Sequence, residues 1–351
     1  MQRGSSPRPI IKYITTSTDG VNWIKIGDMP HFGRIVTSTE EKITREGAKK
    51  SRLVKKGDLI LSNSMSYGLP YIMGIDGYIH DGWFVLKDFE DTFDKDYLCN
   101  LLISSAIQNQ YKRLAAGGVV QNISSDLVNS VSVSIPLMEE QKKISSLLNL
   151  IDDRIATQNK IIEDLKKLKS AISHILFSSK CAIHLSDIAN VVMGQSPSSN
   201  AYNDQGIGMP LVQGNLDISN GKTTPRLYTA EFNQTAEEGN IILTVRAPVG
   251  EVAKATKKVC LGRGVCAIIP HEENMSDFIY QYLTFYKFMW RRYEQGSTFT
   301  SINGSDVRNI PCPKVRNVSI LTLLDRKINI EERVIKLYQS QKQYMLCQMF
   351  I

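Results

Sequence analysis

The chain has 351 residues, of which 42% are hydrophobic and 22% charged, and its formal net charge is +7. This composition is ordinary for a folded globular protein, and the length predicts two or three domains. No apolar stretch reaches the roughly 18 residues that span a bilayer, and no apolar core of a signal peptide follows Met1. The six cysteines form no CxxC pair, which argues against a metal cage or disulfide framework and favours a cytoplasmic protein with free thiols.

The first predicted module covers residues 1–138. Apolar blocks punctuated by glycine, such as Gly57-Asp58-Leu59-Ile60-Leu61, predict strands. An amphipathic helix is predicted over 94–114 with Asp94 as its N-cap, and a loop of small residues follows it. Seven cations within fifteen positions could follow a phosphate backbone or form a solvated face: Lys42, Arg45, Lys49, Lys50, Arg52, Lys55 and Lys56.

A long heptad helix is predicted over 139–180. Its apolar positions recur at alternating steps of four and three from Ile144 to Leu176, the spacing of a coiled coil. Gln158 and Lys169 interrupt this seam. We interpret the acidic pair Asp152-Asp153 as a solvated face near the helix start, stabilised by the helix dipole, rather than as a metal site.

The second predicted module, residues 181–316, repeats the first. The block at Gly239 matches that at Gly57 with an offset of 182 residues (239 − 57), and the same offset joins Gly68 to Gly250 and Gly82 to Gly264. A helix is predicted over 276–293 with Ser276 as its N-cap. The opening segment of this module, 184–189, has no counterpart before Gly4, so the first module is expected to lack its opening segment.

The last predicted element is a second heptad helix over 317–351, at which the chain stops. An offset of 173 residues (350 − 177) places Phe177 on Phe350, Gln158 on Glu331 and Lys169 on Lys342. Residues expected to form the helix pairing are Ile151, Ile155, Ile162, Leu165, Leu324, Ile328, Ile335 and Tyr338.

The expected fold class is therefore α/β (α+β), with two repeated modules joined by two long antiparallel coiled-coil helices in pseudo-two-fold symmetry. The shared polar interruptions either fix the register of the seam or lie at its solvent edge. If Lys169 and Lys342 are buried, replacing them with leucine is expected to raise thermal stability.

The chain contains no catalytic signature that we can recognise. A GxxxxGK[ST] phosphate loop, an Asn/Asp-Pro-Pro-aromatic tetrad and an HExxH helix are all missing from the sequence, and 206–208 is expected to be a turn. Polar and cationic residues suited to phosphates and base edges remain. The candidate DNA contacts are Lys25, Lys49, Lys50, Arg52, Ser62, Asn63, Tyr67, Gln121, Asn122, Gln213, Asn215, Lys222, Arg226, Arg246, Arg263 and Thr298.

Together these features resemble the DNA-specificity (S) subunit of type I restriction–modification systems. The resemblance covers essentially the whole chain and rests on the order and duplication of its motifs. Those motifs are Gly27-Asp28 after Trp23-Ile24-Lys25-Ile26, the block Lys56–Ser62, the run Ile135–Ile144 leading into the first long helix, Gly194-Gln195-Ser196-Pro197, and Gly239–Leu243.

The resemblance implies a non-catalytic subunit in which each module is a target recognition domain that reads one half of a split double-stranded DNA target. It implies docking of two modification (methyltransferase) subunits and of restriction (translocase and endonuclease) subunits, with no membrane partner. S-adenosylmethionine, ATP and Mg are then expected on those partners, and no cofactor or metal on this chain. A helix of about 35 residues is roughly 50 Å long, or about 15 base pairs, so it could space the two half-sites.

The sequence leaves two alternative functions open. The chain could be a protein-interaction scaffold, or an inactive or donor specificity cassette, that does not read DNA. It could also be an enzyme with a nuclease or methyltransferase centre that motif searches miss.

Overall fold

The computed structural model describes residues 1–30, 33–63, 68–115, 123–179, 181–292, 301–314 and 317–350. The chain divides into two compact units. The first unit comprises Met1–Ile161 and Glu331–Ile351, and the second comprises Ile162–Ile330. Both boundaries fall inside the long helices, so each unit contains part of both helices.

Eight α-helices lie in the described residues: α1 Arg45–Ala48, α2 Lys95–Ile103, α3 Ser105–Ala115, α4 Ser125–Asn129, α5 Met138–Phe177, α6 Ser276–Tyr286, α7 Gly304–Arg308 and α8 Ser319–Met349. Short 3-10 helices cover Ile10–Lys12, Ile26–Asp28, Leu185–Asp187, Ser199–Ala201, Asn215–Asp217, Glu273–Met275 and Lys287–Arg292. Asp94 caps α2 as predicted, because its carboxylate accepts a hydrogen bond from the Tyr97 N–H at 2.9 Å.

Two details of the helix prediction are wrong. The helix predicted over 94–114 is two helices, because Ser104 between α2 and α3 takes an extended conformation (φ −64°, ψ 153°). Ser276 is the first residue of α6 rather than its N-cap. The 3-10 helix ending at Met275 runs directly into α6, and Met275 already has helical dihedrals, so no extended cap residue is formed.

The first unit holds ten strands: β1 Gln2–Arg3, β2 Ile14–Thr15, β3 Val21–Ile24, β4 Ile35–Val36, β5 Glu41–Ile43, β6 Arg52–Val54, β7 Leu59–Ser62, β8 Pro70–Met73, β9 Gly77–Ile79 and β10 Trp83–Leu86. The second holds thirteen: β11 Cys181–His184, β12 Ala189–Met193, β13 Tyr202–Asn203, β14 Met209–Val212, β15 Ile218–Ser219, β16 Lys222–Thr223, β17 Leu227–Thr229, β18 Thr235–Ala236, β19 Ile241–Thr244, β20 Val252–Lys254, β21 Val259–Leu261, β22 Val265–Pro270 and β23 Pro311–Pro313.

The sheets show that the units are copies of one design. One sheet has the order β1-β10-β7-β8-β4 in the first unit, and the order β12-β22-β19-β20 opens its counterpart, which continues with β16-β15. The other sheet, β2-β5-β3-β9-β6, matches β13-β17-β14-β21-β18 strand for strand. Gly68 and Gly250 occupy the same turn, and both have positive φ (64° and 90°). The predicted duplication is confirmed, and β11 with β23 forms an extra two-stranded sheet in the second unit.

The ends of the long helices complete the core of each unit. In the first, Leu148 of α5 and Leu346 and Phe350 from the C-terminal helix region are buried with α2. The Phe350 ring lies 5.2 Å from that of Tyr97. In the second unit, Phe177 lies 5.3 Å from Tyr282 of α6, between ring centroids. The two phenylalanines aligned by the sequence repeat therefore pack in the same way, each against a tyrosine ring.

The polar residues of the seam are paired with partners on the opposite helix. Within the first unit Gln158 donates a hydrogen bond to Glu331, and Lys342 pairs with Asp152. Moving forward along α5 from Asp152 to Gln158 moves the contact backward along α8, so the helices are antiparallel, as predicted. In the second unit Lys169 pairs with Asp325 at 2.6 Å.

These ion pairs are related by the repeat, since Asp325 follows Asp152 by the same 173 residues (325 − 152) that separate Lys342 from Lys169. Their lysine side chains are 17% and 19% exposed, so they do not lie at a solvent edge. Of the residues expected to form the pairing, four are buried and four half-buried: Ile151, Ile162, Ile328 and Ile335, then Ile155, Leu165, Leu324 and Tyr338.

Our interpretation of Asp152 was wrong. The helix begins at Met138, about four turns before this residue, so Asp152 is far from the N-terminal end of the dipole. Its side chain is only 28% exposed and binds Lys342 and Arg34. Asp153, its neighbour, is exposed.

Candidate nucleic-acid interface

Most of the predicted contacts of the second unit line one groove. Its volume is about 620 Å³, and the predicted residues along it are Gln213, Asn215, Arg226, Arg246 and Arg263. The sixth described candidate, Lys222, is exposed on β16 outside the groove lining. Residues distant in sequence therefore converge in space.

A pair of parallel strands explains the convergence. Leu211 pairs with Cys260 and Val212 with Leu261, so β14 and β21 end at the same edge of their sheet. Gln213 follows the first strand, and Arg263 lies in the turn after the second. Polar residues placed directly after parallel neighbouring strands are thus brought side by side.

The turn containing Arg263 depends on a close backbone approach. A Cβ atom on Gly264 would lie 2.1 Å from the main-chain oxygen of Gln213, which no side chain can tolerate. The carbonyl of Gly264 also accepts a hydrogen bond from the N–H of Val245 at 2.9 Å. Glycine at position 264 therefore lets the segments of Gln213, Val245 and Gly264 meet. Arg246 follows Val245 directly, so this contact also places Arg246 at the groove.

Asp217 organises the other wall of the groove. Its carboxylate, 4% exposed, accepts hydrogen bonds from the Gln213 N–H at 2.8 Å and from Arg226 Nε at 3.0 Å. The Arg226 side chain is 58% exposed. The Nε of Arg226 is therefore held by Asp217, while its two terminal nitrogens have no hydrogen-bond partner among the described residues. A fixed guanidinium of this kind is suited to bidentate hydrogen bonding.

The charge of the groove is positive, because three arginines line it against the single carboxylate of Asp217. Guanidinium groups bind phosphates and the O6/N7 edge of guanine, while glutamine and asparagine pair with the N6/N7 edge of adenine. The arrangement can therefore hold a DNA backbone and distinguish bases in a major groove.

The equivalent place in the first unit has the opposite chemistry. Lys25 follows β3 as Gln213 follows β14, and its N–H donates to Asp28 at 2.7 Å, as Gln213 does to Asp217. Where the second unit has Arg226 before β17, the first has Glu40 before β5. Where the second has Arg263 in the turn before β22, the first has Asp81 before β10.

Lys25 is consequently neutralised within its own unit. Its Nζ lies 2.8 Å from Glu41 and 3.7 Å from Glu40. The hydrogen bond that Lys25 donates to Glu41 is the main reason that the pKa of Lys25 is raised above its ordinary value, and burial opposes the shift. The first unit thus has carboxylates at Glu40 and Asp81 where the second has guanidinium groups, and Asp81 is itself paired with Arg8 at 3.3 Å.

Two predicted DNA contacts are buried instead, which corrects the prediction for Ser62 and Asn63. Ser62 is 0% exposed and accepts a hydrogen bond from the Leu69 N–H at 3.0 Å. Asn63 is 2% exposed and donates to the carbonyl of Asp81 at 2.9 Å. Ser62 satisfies a main-chain group of its own turn, and Asn63 one of the turn between β9 and β10, so both side chains are engaged inside the unit.

Three predicted cations of the first unit lie at the end of α1 and on β6. Lys49 and Lys50 are exposed at the end of α1, and Lys50 donates to the Tyr13 hydroxyl. Arg52 on β6 donates to the main-chain oxygen of Arg3 at 2.6 Å, so it also ties down β1. The remaining candidates lie outside the described residues: Tyr67, Gln121, Asn122 and Thr298.

Sequence reasoning missed the polar residues that shape the groove. Ser196 accepts a hydrogen bond from the Arg263 N–H at 3.0 Å, and Asp217 anchors two wall residues. A signal for Asp217 was present, because an aspartate follows the first strand of the parallel pair in both units, at Asp28 and Asp217.

No helix within the described residues is long and apolar enough to cross a membrane. The same part of the chain contains no cluster of three or more His, Cys, Asp or Glu side chains arranged to hold a metal ion.

Comparison with known proteins agrees with this geometry. The family model of the type I restriction modification DNA specificity domain matches the chain twice, over residues 8–167 and 182–337. A putative type I restriction enzyme MjaX specificity subunit of Methanocaldococcus jannaschii is 28% identical over 334 residues, covering 87% of this chain and 76% of that protein.

Solved structures share the fold. A chain solved in work on complex assembly and conformational transition of the type I R-M system has a TM-score of 0.65 at 20% identity, covering 99% of this chain and 93% of its own. The S subunit of a type I restriction-modification system from M. genitalium has a TM-score of 0.58 at 17% identity, covering 99% and 96%.

Proposed function

Because the chain belongs to the family of type I restriction modification DNA specificity domains, we propose that it is a non-catalytic subunit that reads a split DNA target. The observation that carries this proposal is the groove of the second unit. Three arginines, a glutamine and an asparagine converge there around one buried aspartate. The cations anchor phosphates, and the planar side chains read base edges.

The first unit reads the other half of the target with different chemistry. Glu40 and Asp81 stand where the second unit has the guanidinium donors of Arg226 and Arg263, and a carboxylate accepts a hydrogen bond from the N4 amino group of cytosine. The exposed cations Lys49 and Lys50 hold the backbone nearby. Two unrelated half-sites follow from two different reading surfaces on one scaffold.

The catalytic work belongs to partner subunits. Two modification subunits bind S-adenosylmethionine and methylate the target, while restriction subunits bring ATP and Mg. The length of the paired helices fixes the distance between half-sites. For α5 that length follows from its 40 residues and a rise of about 1.5 Å per residue.

The test is methylation of random-sequence DNA by this chain co-expressed with its modification subunit, read by single-molecule sequencing. A split motif with a methylated base in each half is expected. Replacing Arg246 or Arg263 with alanine should relax one position of a single half-site, since a bidentate base contact contributes about 1–3 kcal/mol of discrimination. If the arginine contacts a phosphate instead, its replacement should weaken binding to all sequences and lower the salt dependence of the binding constant by about one unit of slope.

Lys222→Ala is the matched control, because this cation is exposed in the same unit but outside the groove. It should leave the motif unchanged. Groove variants that methylate the same motif at the same rate as the parent chain would refute the assignment of the groove. A stable complex that methylates nothing would favour a protein-interaction scaffold.

A further inference from the structure

An exposed leucine lies among the polar residues of the second unit's groove. Leu216 lines this groove together with Arg226 and Arg263, and it is 68% exposed. It belongs to the 3-10 helix Asn215–Asp217. Exposed apolar residues are common on protein surfaces, so exposure alone assigns no role to this leucine. The way its turn is held, and the chemistry of the groove around it, indicate one.

The turn that carries Leu216 is fixed by the residue after it. The N–H of Asp217 donates to the carbonyl of Gly214 at 3.1 Å, and its carbonyl accepts a hydrogen bond from the N–H of Thr224 at 2.8 Å. Its carboxylate accepts another from the N–H of Gln213 at 2.8 Å. Asp217 is buried inside the unit, while Leu216 beside it is exposed to the groove. A turn held in this way needs little ordering when it binds a ligand.

The first unit has the same turn without the side chain. Asp28 accepts a hydrogen bond from the N–H of Lys25 at 2.7 Å, as Asp217 does from Gln213, and the residue before Asp28 is Gly27. A Cβ atom on Gly27 would meet nothing within 4 Å, and its φ lies outside the positive range that favours glycine. The scaffold therefore tolerates a side chain here, and the leucine distinguishes the reading surface of the second unit from that of the first.

The chemistry around Leu216 indicates its ligand. The base edges in the major groove of DNA carry hydrogen-bond donors and acceptors, and their apolar feature is the C5 methyl group of thymine. Gln213 and Asn215, which line the same groove, are suited to the N6/N7 edge of adenine. Adenine pairs with thymine, so a base pair read by these amides also presents a methyl group. Asn215 precedes Leu216 in the chain, which places the amide and the apolar side chain side by side.

We propose that Leu216 packs against the C5 methyl group of a thymine in the half-site that the second unit reads. This inference rests on the proposed function, since it requires the groove of the protein to face the major groove of DNA. The contact takes one methyl group out of water, and burying one such group strengthens binding about fourfold. Gly27 of the first unit has no side chain to make the equivalent contact.

The test replaces thymine by deoxyuridine, whose base lacks only the C5 methyl group. The full-length chain, in complex with its modification subunits, is titrated with fluorescent duplexes that carry the methylated motif, and each thymine of the motif is replaced in turn. Fluorescence anisotropy should show a position in one half-site at which deoxyuridine weakens binding about fourfold. The Leu216→Ala complex should already bind the thymine duplex about fourfold more weakly, and deoxyuridine at that position should cause no further loss.

Ile207→Ala is the matched control, because Ile207 is exposed in the same unit and does not line the groove. This variant should keep the full deoxyuridine effect. Sequence-specific binding in which no deoxyuridine weakens the parent complex, or in which Leu216→Ala retains the whole effect, would overturn the thymine contact and leave the proposed function standing. A parent complex that binds duplexes with and without the motif equally would refute the proposed function, and the thymine contact with it.

Discussion

The half-buried carboxylate of Asp152 forms ion pairs with two cationic side chains. Its replacement by asparagine gives the sharpest test of the helix pairing. Arg34 donates to one carboxylate oxygen at 2.8 Å, and Lys342 binds the other. The Arg34 and Lys342 side chains are 15% and 17% exposed. Asp152→Asn leaves both cations without their counter-charge.

Breaking a buried ion pair costs about 3–5 kcal/mol. Because all three side chains keep some exposure, we expect the lower end, about 3 kcal/mol, which lowers the Tm of a unit of this size by about 6–12 °C. The repeat supplies the control: Asp325→Asn should cost less, since Asp325 binds one cation, Lys169, and the neutral amide of Gln281. Urea unfolding of both variants measures the difference.

The loss should also depend on pH. Burial is the main reason that the pKa of Lys342 lies below its ordinary value of 10.5, and Asp152 opposes that shift. In Asp152→Asn the pKa falls further. The folded state then releases a proton that the unfolded state keeps, so stability rises as the pH approaches 10.5. A free energy of unfolding within about 0.5 kcal/mol of that of the parent chain would refute this reasoning. A destabilisation equal to that of Asp325→Asn, with no recovery of stability at high pH, would also refute it.

The leucine substitutions suggested by the heptad pattern now have the opposite expected sign. Lys169→Leu leaves Asp325, whose side chain is 31% exposed, without its cation. Lys342→Leu removes one of the two cations that bind Asp152, and Arg34 remains. The loss of an ion pair at a partly buried carboxylate outweighs the gain from an apolar seam residue. Thermal unfolding should show a lower Tm for each single variant, and a raised Tm would contradict the observed pairing.

Two further predictions concern backbone and capping. Gly250→Ala should destabilise the second unit by about 3 kcal/mol, because φ is 90° and the new Cβ would lie 2.2 Å from Trp290. Gly206→Ala, with φ 79° and nothing within 4 Å, should cost only about 1 kcal/mol, and equal losses would contradict the steric argument. Asp94→Ala should cost about 1 kcal/mol through the lost cap, while Ser276→Ala should stay within about 0.5 kcal/mol. Urea unfolding measures all four, and a clear loss in Ser276→Ala would contradict its place inside α6.

The sequence predicted the duplication and the seam because both are patterns along the chain. The offset that aligns Phe177 with Phe350 needs no tertiary information, and both residues indeed pack against an aromatic ring. The partners of the seam lysines were not predicted. Asp152 meets Lys342, and Asp325 meets Lys169, only in the antiparallel register. That register depends on contacts between residues more than 150 positions apart.

The candidate DNA contacts were chosen from the sequence for their polar and cationic side chains, and five of them line the groove. Their convergence was not predicted, because it depends on the parallel pairing of β14 and β21, which brings Gln213 and Arg263 together. Side-chain chemistry also did not distinguish these residues from the buried Ser62 and Asn63. A polar residue at a strand end either faces outward or satisfies a neighbouring main-chain group, and only the folded turn decides which.

The position of the two unit boundaries has a consequence for how such chains diversify. Each boundary cuts a long helix, yet no polar seam contact described above crosses it: Lys169 and Asp325 lie together in Ile162–Ile330, and the other pairs lie in the first unit. A genetic crossover that replaces that segment therefore transfers a complete ion pair with its reading surface. Recombination between related genes can then combine new halves while the Lys169–Asp325 and Lys342–Asp152 pairs both stay intact.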